Sequence, residues 1–472
     1  MSNQSYDVVI VGGGMGGLNL AALLTHAGKK VLILEKAPKD RLGGRAAHGK
    51  VGNDSVDNGI KGLILAGSQD EIHQRIGKDM PENVCEWNNS GKIYVRGRWI
   101  NLDETLANSL DEFLDIYKKT ASQWSYEDIE GINDISIEKF VRDRTDNQDL
   151  IDFFDYLGWL FGGTLPKATD YSAGSLFYSV KKQIESTGRM PNQSYWVKGG
   201  TGAVATGLLE AIDENGGEIR HSTSVSRIVI ENGVVRGVEV EQGQRSVPTE
   251  FLETEFIEAP VVVSAVAIWD IFNILSEDDL SPWYAERLEY IHRRTLNLLT
   301  INFALDSDEH WDHSGIRWVD QGPATGKPWC ASSLRFCEDK GHYEVSAWMQ
   351  LGHWEKPNLF EMRKASHKAA LQKLFEEWQE DFRQLFPGVV ENALWTLKSF
   401  GPATIMETPG HVGSNLIDIE AEGVEGLYLI GERTKEAKVM GVYGSAQAAL
   451  AASDSILRKY PVATQSAAKA SA

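Results

Sequence analysis

Residues 8–35 constrain this chain more than any other stretch. Val8, Val9, Ile10 and Val11 form a short apolar run rich in β-branched residues, as expected of a strand covered on both faces. Gly12, Gly14 and Gly17 follow at G-x-G-x-x-G spacing, and Leu18 to Leu24 has helical character that should end at Gly28. Val31 to Leu34 is a second apolar run, ending on Glu35, eighteen positions after Gly17. The parts have distinct physical roles. Gly12 permits the tight turn, Gly14 lets the backbone approach a pyrophosphate, and Gly17 lets helix and strand pack closely. The free N–H groups and positive dipole end of the helix then face the phosphates. Glu35 can accept hydrogen bonds from both hydroxyls of an adenosine ribose, whereas a 2′-phosphate would meet its negative charge. The stretch therefore predicts a β-α-β site for FAD or NAD rather than NADP.

A chain of 472 residues can bury a large core and should hold two domains, which can interleave in sequence. Its net charge of −20 argues against nucleic acid and against electrostatic docking on anionic lipid, leaving at most peripheral membrane contact. Cys85, Cys330 and Cys337 make no C-x-x-C motif and no even disulfide set, which fits a reducing cytoplasm, and no metal site is expected. The first apolar run has no basic segment before it, so it reads as a strand and not as part of a signal peptide. No run of about twenty apolar residues suggests a spanning helix. Pro461 to Ala472 has the composition of a disordered tail.

Further along, Gly43-Gly44-Arg45 can bring a guanidinium against a phosphate or ring carbonyl, or leave it as a solvated loop arginine; Asp57-Asn58-Gly59 follows. Residues 92–100 read as a hairpin turning at Arg96-Gly97. From 102 to 197 the pattern is helical and aromatic, with Phe153, Phe154, Tyr156, Trp159, Leu160 and Phe161 crowded together and Tyr171, Phe177 and Tyr178 after them. Such a stripe is either core packing or an apolar pocket. Gly199 to Gly202 opens a helix that ends at Asn215-Gly216-Gly217, and Asn232-Gly233 joins two strands, 225–230 and 234–240. Those glycines are not read as a second dinucleotide site, because Tyr195-Trp196-Val197-Lys198 makes a poor buried parallel strand.

Pro260 to Ala265 should return to the first sheet, while 295–305 and 343–349 suit a second sheet. An amphipathic helix over 358–386 should cover that sheet through Leu371, Leu374, Phe375 and Trp378, with Glu376, Glu377, Glu380 and Asp381 on its wet face. Leu427 to Glu432 is a strand ending in glycine and an acid, and Gly441-Val442-Tyr443-Gly444 opens the last helix. Two helix starts at opposite ends of the chain predict one elongated cofactor between them.

These segments together resemble the FAD-dependent amine oxidase and phytoene desaturase superfamily, most closely its phytoene desaturase, carotenoid isomerase and retinol saturase branch. Val9 to Leu18, Gly43-Gly44-Arg45, Gly199 to Ala203 with its helix and hairpin, and Gly426 to Glu432 with its closing helix carry the resemblance, in the family's order. The resemblance implies an α/β fold, α+β overall. A Rossmann-like FAD-binding domain of the glutathione reductase/amine oxidase type (1–70, 198–294, 400–458) would interleave with a mixed-sheet and helical substrate domain (71–197, 295–399). It places Gly12, Gly14, Met15, Gly16 and Gly17 at the pyrophosphate, Glu35 and Lys36 at the adenosine ribose, and Gly43, Gly44 and Arg45 along the cofactor. Val225 would contact adenine through its backbone, and Gly431 and Glu432 would stand by the ribityl chain, where the family usually has aspartate. Gly441, Val442 and Tyr443 would meet the isoalloxazine. Lys438-Val439-Met440-Gly441 replaces the family's more usual Pro-Gly at that turn.

The same resemblance implies an oxidoreductase that introduces, saturates or shifts a carbon–carbon double bond in an apolar, isoprenoid-like substrate by hydride transfer to or from flavin N5. Oxygen, a quinone or another carrier would accept the electrons. Tyr443 is the candidate wall, and Lys438 the candidate proton acceptor or positioning cation; a packed tyrosine and a surface lysine are the plain alternatives. A flavin amine oxidase is the competing enzyme, and it needs a second aromatic wall beside Tyr443. Rab escort and GDP-dissociation-inhibitor proteins represent a non-catalytic alternative, carriers of a prenylated partner that would not need the whole fingerprint with Glu35.

Overall fold

A computed structural model describes residues 5–52, 54–57, 67–86, 91–162, 171–187, 195–197, 199–241, 253–307, 309–311, 316–337, 342–352, 364–438 and 441–462. Asn58, Gly59, Lys198, Val439, Met440, the Phe161 side chain and the tail from residue 463 lie outside the described residues.

The apolar runs form one parallel sheet. Its strands are β1 (Val8–Val11), β2 (Val31–Leu34), β3 (Glu218–Arg220), β4 (Val261–Ser264) and β5 (Leu427–Leu429), in the order β5-β4-β1-β2-β3. All residues of β1, β2 and β4 are buried, which is why these strands lack apolar–polar alternation. Val8, Ile10, Val31 and Ile33 pack on one face against helices α1 (Met15–His26), α2 (Val204–Glu214) and α3 (Gly441–Lys459). Val9, Val11, Leu32 and Leu34 pack on the other, against an antiparallel three-stranded sheet of Ser224–Glu231, Val234–Glu241 and Thr254–Glu258. The hairpin turns at Asn232 and Gly233, both at positive φ, as a two-residue Asn-Gly turn requires. Tyr195–Val197 pairs antiparallel with Asn83–Glu86, away from the parallel sheet.

The second sheet has seven strands, in the order Ala393–Ile405, Thr295–Leu305, His342–Gly352, Trp329–Cys337, Ile316–Val319, Lys92–Val95, Arg98–Asn101. Only Ile316–Val319 and Lys92–Val95 run parallel. Leu299, Ile301, Phe303, Val345, Ala347 and Met349 form one face, covered by Leu371, Leu374, Phe375 and Trp378 of the helix Ala365–Leu385. The opposite face, through Ile93, Trp318 and Cys330, lies under the helices of 102–187. The chain enters the parallel sheet, leaves for the mixed sheet and returns, so the two are interleaved. No helix of the described residues is long and apolar enough to cross a membrane.

The covering helix begins at Ala365; residues 353–363 lie outside the described set. Asp381 corrects the sequence reading, because it is fully buried and not on the wet face. Its Oδ1 accepts from the backbone N–H groups of Ala324 (2.6 Å) and Thr325 (3.2 Å), and its Oδ2 from the Thr325 hydroxyl (2.6 Å) and the Trp329 indole (3.0 Å). Four donors replace water, and the carboxylate clasps the 324–329 turn to the helix. Asp381→Ala strands all four and should cost about 3 kcal/mol in urea unfolding, whereas Glu377→Ala on the same helix should change stability by less than about 0.5 kcal/mol.

Candidate cofactor and substrate site

Helix α1 starts without a side-chain cap, after an extended Gly14. The first N–H groups of an α-helix have no partner within it, so this start presents donors and a positive dipole end. A methyl group at Gly17 would collide with the Gly12 carbonyl oxygen, whereas one at Gly14 would meet no protein atom within 4 Å. Gly17 thus serves packing, and Gly14 leaves an open approach. Glu35 is held beside this turn: its Oε2 accepts from Gly13 N–H at 2.6 Å and its Oε1 from Ala37 N–H at 2.7 Å. Lys36 projects outward, 3.9 Å from Asp270.

The Gly43–Arg45 loop folds onto the same turn. Gly43 N–H donates to the Gly13 carbonyl at 2.9 Å, and a methyl on Gly44 would stand 3.2 Å from Gly14 Cα. Arg45 then reaches the far end of the chain. Its Nη1 lies 3.0 Å from Glu432 Oε1 and also donates to the Ala403 carbonyl, and its guanidinium lies 5.3 Å from the Trp269 ring centre. Glu432 Oε2 accepts from the N–H of Gly441, the first residue of α3, at 2.6 Å. Burial alone would push this carboxyl up, but the charges of Arg45 and Arg433 and these donors hold it below its ordinary value.

The starts of α1 and α3 meet. A methyl on Gly16 would sit 3.7 Å from Ser445 Cβ and 3.9 Å from Ile430 Cδ1, while methyls on Gly431 and Gly441 would meet nothing within 4 Å. Ser264 Oγ, at the end of β4, is buried with no hydrogen-bond partner among the described residues. Two helix starts, backbone approached through glycines and a spare hydroxyl fit an elongated, doubly negative dinucleotide. Met15 and Val442 are buried in the core beneath, and Val225 in the core on the opposite side of the sheet.

Tyr443 leaves that core for the other. It is half-buried against the aromatic cluster under the mixed sheet, hydrogen-bonded to Ser68, and burial raises its hydroxyl pKa. Lys438 adopts a left-handed backbone (φ 55°) and pairs with Glu130 at 2.7 Å, its ammonium 5.5 Å from the Tyr178 ring centre. The structure thus brings Tyr443 to the cofactor helix and turns the Lys438 ammonium toward the surface.

Residues 15–457 match the family described as flavin containing amine oxidoreductase. The chain belongs to this family. Its cofactor is FAD. Among similar proteins, a 4,4′-diapophytoene desaturase (4,4′-diapolycopene-forming) of Methylomonas sp is 25% identical over 52% of this chain and 52% of its own length. An all-trans-retinol 13,14-reductase of Danio rerio is 24% identical over 59% of this chain and 50% of its own. The chain spans about half the length of these curated relatives. Among solved structures, an oxidoreductase from Methanosarcina mazei superposes with a TM-score of 0.66 at 18% identity, covering 95% of this chain and 99% of that one. Cyclohexylamine oxidase from Brevibacterium oxydans gives 0.62 at 16% identity, covering 97% and 99%. These structures share the fold.

Sequence reasoning missed a buried ion pair in this flavoprotein. Arg433 Nη1 donates to Glu407 Oε1 at 3.0 Å, and Glu407 Oε2 accepts from Tyr171 (3.2 Å) and from Ser175. A second charge directly after Glu432 was the visible signal, but nothing local named its partner. Ser68 was likewise missed as the partner of Tyr443.

The glycines should separate two roles. Gly14→Ala is expected to leave the melting of FAD-free protein unchanged while lowering FAD affinity at least about tenfold in a fluorescence titration. Gly17→Ala should destabilise the apoprotein itself, by about 2 kcal/mol or more. Glu432 has a pH signature. Its folded-state pKa lies below the ordinary 4.5, so its ionised form adds stability that is present above pH 4.5 and lost as pH falls through the folded value. Glu432→Gln should lower stability at pH 7 by about 1–2 kcal/mol and flatten the acid limb of urea unfolding below pH 4.5.

Proposed function

We propose that this flavoprotein introduces, saturates or isomerises a carbon–carbon double bond in an apolar, isoprenoid-like substrate. The observation that carries the reading is the character of the wall beyond the cofactor helix. Tyr443 leans on a cluster that includes Phe113, Tyr117, Phe153, Phe154 and Phe177. Its rings interlock, with Phe113 and Tyr117 stacked at 5.0 Å and Phe113 edge-on to Phe153 at 5.5 Å. Tyrosine hydroxyls are neutral at pH 7, and burial pushes those of Tyr117 and Tyr156 further from ionising, so the named rings carry no charge. A wall of that kind takes a hydrocarbon skeleton and excludes water. Activities named for the Methylomonas and Danio rerio relatives, desaturation of 4,4′-diapophytoene and reduction of all-trans-retinol, support the same reading.

Bound FAD would supply hydride transfer at its N5. The starts of α1 and α3 would hold its phosphates, Glu35 its ribose, Val225 its adenine through the backbone, and Gly431, Glu432 and Arg45 its middle. Tyr443 would serve as the wall against the substrate. Its ion pair with Glu130 makes Lys438 a residue that positions the turn before α3, rather than a proton acceptor. We assign FAD to segments 1–70, 198–294 and 400–458, and substrate to 71–197 and 295–399. Oxygen, a quinone or another carrier would take the electrons, and any membrane contact would be peripheral.

Anaerobic mixing of the FAD-loaded protein with isoprenoid polyenes and with amines tests the proposal. Bleaching of the oxidised flavin by a polyene (desaturation), reoxidation of the chemically reduced flavin by it (saturation) or a shifted polyene spectrum with the flavin unchanged (isomerisation) is expected, without hydrogen peroxide release on adding amines in air. Bleaching by amines alone would sink it in favour of amine oxidation.

A further inference from the structure

Strand β4 delivers the chain to the glycine turn. Ala265, directly after Ser264, donates its N–H to the Val11 carbonyl at 2.8 Å. A methyl on Gly12 would stand 3.2 Å from the Ala265 carbonyl oxygen, and one on Gly17 would stand 3.3 Å from Ala265 Cβ. A short 3₁₀ helix, Ile268–Asn273, follows, and Ile271 anchors it in the core shared with the three-stranded sheet. Trp269 and Asp270 stay partly exposed. Asp270 Oδ2 lies 3.9 Å from Lys36 Nζ, and the Trp269 ring centre lies 5.3 Å from Arg45 Cζ. Two adjacent residues thus meet the two cationic side chains that follow Glu35 and the Gly43-Gly44 pair.

Of these two cations, Arg45 is the more constrained. Its Nη1 is turned to the protein, where Glu432 Oε1 at 3.0 Å and the Ala403 carbonyl both accept from it. Bonds through one nitrogen leave a planar guanidinium free to tilt, and contact with an aromatic face removes that freedom. An indole attracts a cation over its electron-rich face, more strongly once water is excluded. The Arg45 side chain is still 42% exposed, so the same group is open to a ligand. Its Nε–Nη2 edge is the side of the guanidinium fork that pairs with two oxygens at once. A dinucleotide lying along the glycine turn would cover Arg45 and take the ring contact out of water.

We propose that Trp269 is a positioning residue of the FAD site that acts through Arg45: its ring face fixes the tilt of the guanidinium so that the remaining donors meet the cofactor. Titration of the FAD-free protein with FAD, followed by flavin fluorescence, tests this. Trp269→Leu keeps the apolar packing and removes the ring, and it should weaken FAD about fivefold or more. Trp269→Phe keeps an aromatic face and should weaken it less. In an Arg45→Met background there is no cation to hold, so Trp269→Leu should change FAD affinity less than about twofold further. A packing role would give the same loss in both backgrounds, and that result would overturn the proposal, as would Trp269→Phe binding FAD as weakly as Trp269→Leu. Unchanged FAD affinity in Trp269→Leu would overturn it too. Should Trp269→Leu not fold, fluorinated tryptophans installed at position 269 alone keep the shape while draining the ring face of electron density. FAD affinity should then fall with each added fluorine, and a constant affinity would count against any role for the ring face.

Discussion

A single methyl group at position 17 would strike the Gly12 carbonyl oxygen, and that close approach sets the distance between α1 and β1. From it the remaining site geometry follows in steps. Because α1 lies so near the sheet, Gly16 comes against Ser445 and Ile430, and the first and last helices of the chain share one wall. Asn19, buried on α1, makes a double hydrogen bond with Gln69 at 3.0 and 2.7 Å. Gln69 belongs to the helix Gly67–Arg75, which also carries Ser68, the partner of Tyr443. The glycine turn is thus connected, through α1 and the helix Gly67–Arg75, to Tyr443 on α3.

Electrostatics at the junction run against the overall charge of −20. Arg45 and Arg433 flank the buried Glu432, and Arg433 is itself held by the buried Glu407. Isolated buried charge would be costly, so each carboxylate is met by a guanidinium and by further donors. Such pairs contribute little net stability, because desolvation offsets attraction, but their geometry is directional. Here the direction joins parts: Glu432 links the loop after β2 to the start of α3, and Glu407 links the 431–438 segment to Tyr171 and to Ser175 in the first turn of the helix Ala173–Thr187.

What could be read from the sequence was local. Residues 8–35 were legible because glycine spacing, a helical run and a terminal acid fall within one supersecondary unit. The turn at Asn232-Gly233 was legible because both residues sit at positive φ, which favours Asn and Gly; at Arg96-Gly97 only the glycine and the flanking β-formers gave the signal. Partner choice over long separations was not legible. Arg45 and Glu432 stand 387 positions apart, and Asp381 finds its donors 52 to 57 positions earlier. A charged residue at helical spacing beside Glu377 and Glu380 reads as wet unless the turn that covers it is known.

The same ambiguity, in strands, explains why the mixed sheet was harder to read than the parallel one. An apolar–polar period of two says which residues share a face, but it does not say what covers the polar one. On Thr295–Leu305 and His342–Gly352 the cover comes from residues 102–187: Gln350 donates to the Trp159 carbonyl, and Trp348 packs against their aromatic cluster. Parallel strands escape this difficulty, since β1, β2 and β4 are apolar at nearly every position and admit only burial on both faces. The β-α-β unit of this flavoprotein is therefore written in contiguous sequence. The covered polar face of the mixed sheet is written in the meeting of two segments, each of which alone looks like ordinary surface or ordinary core.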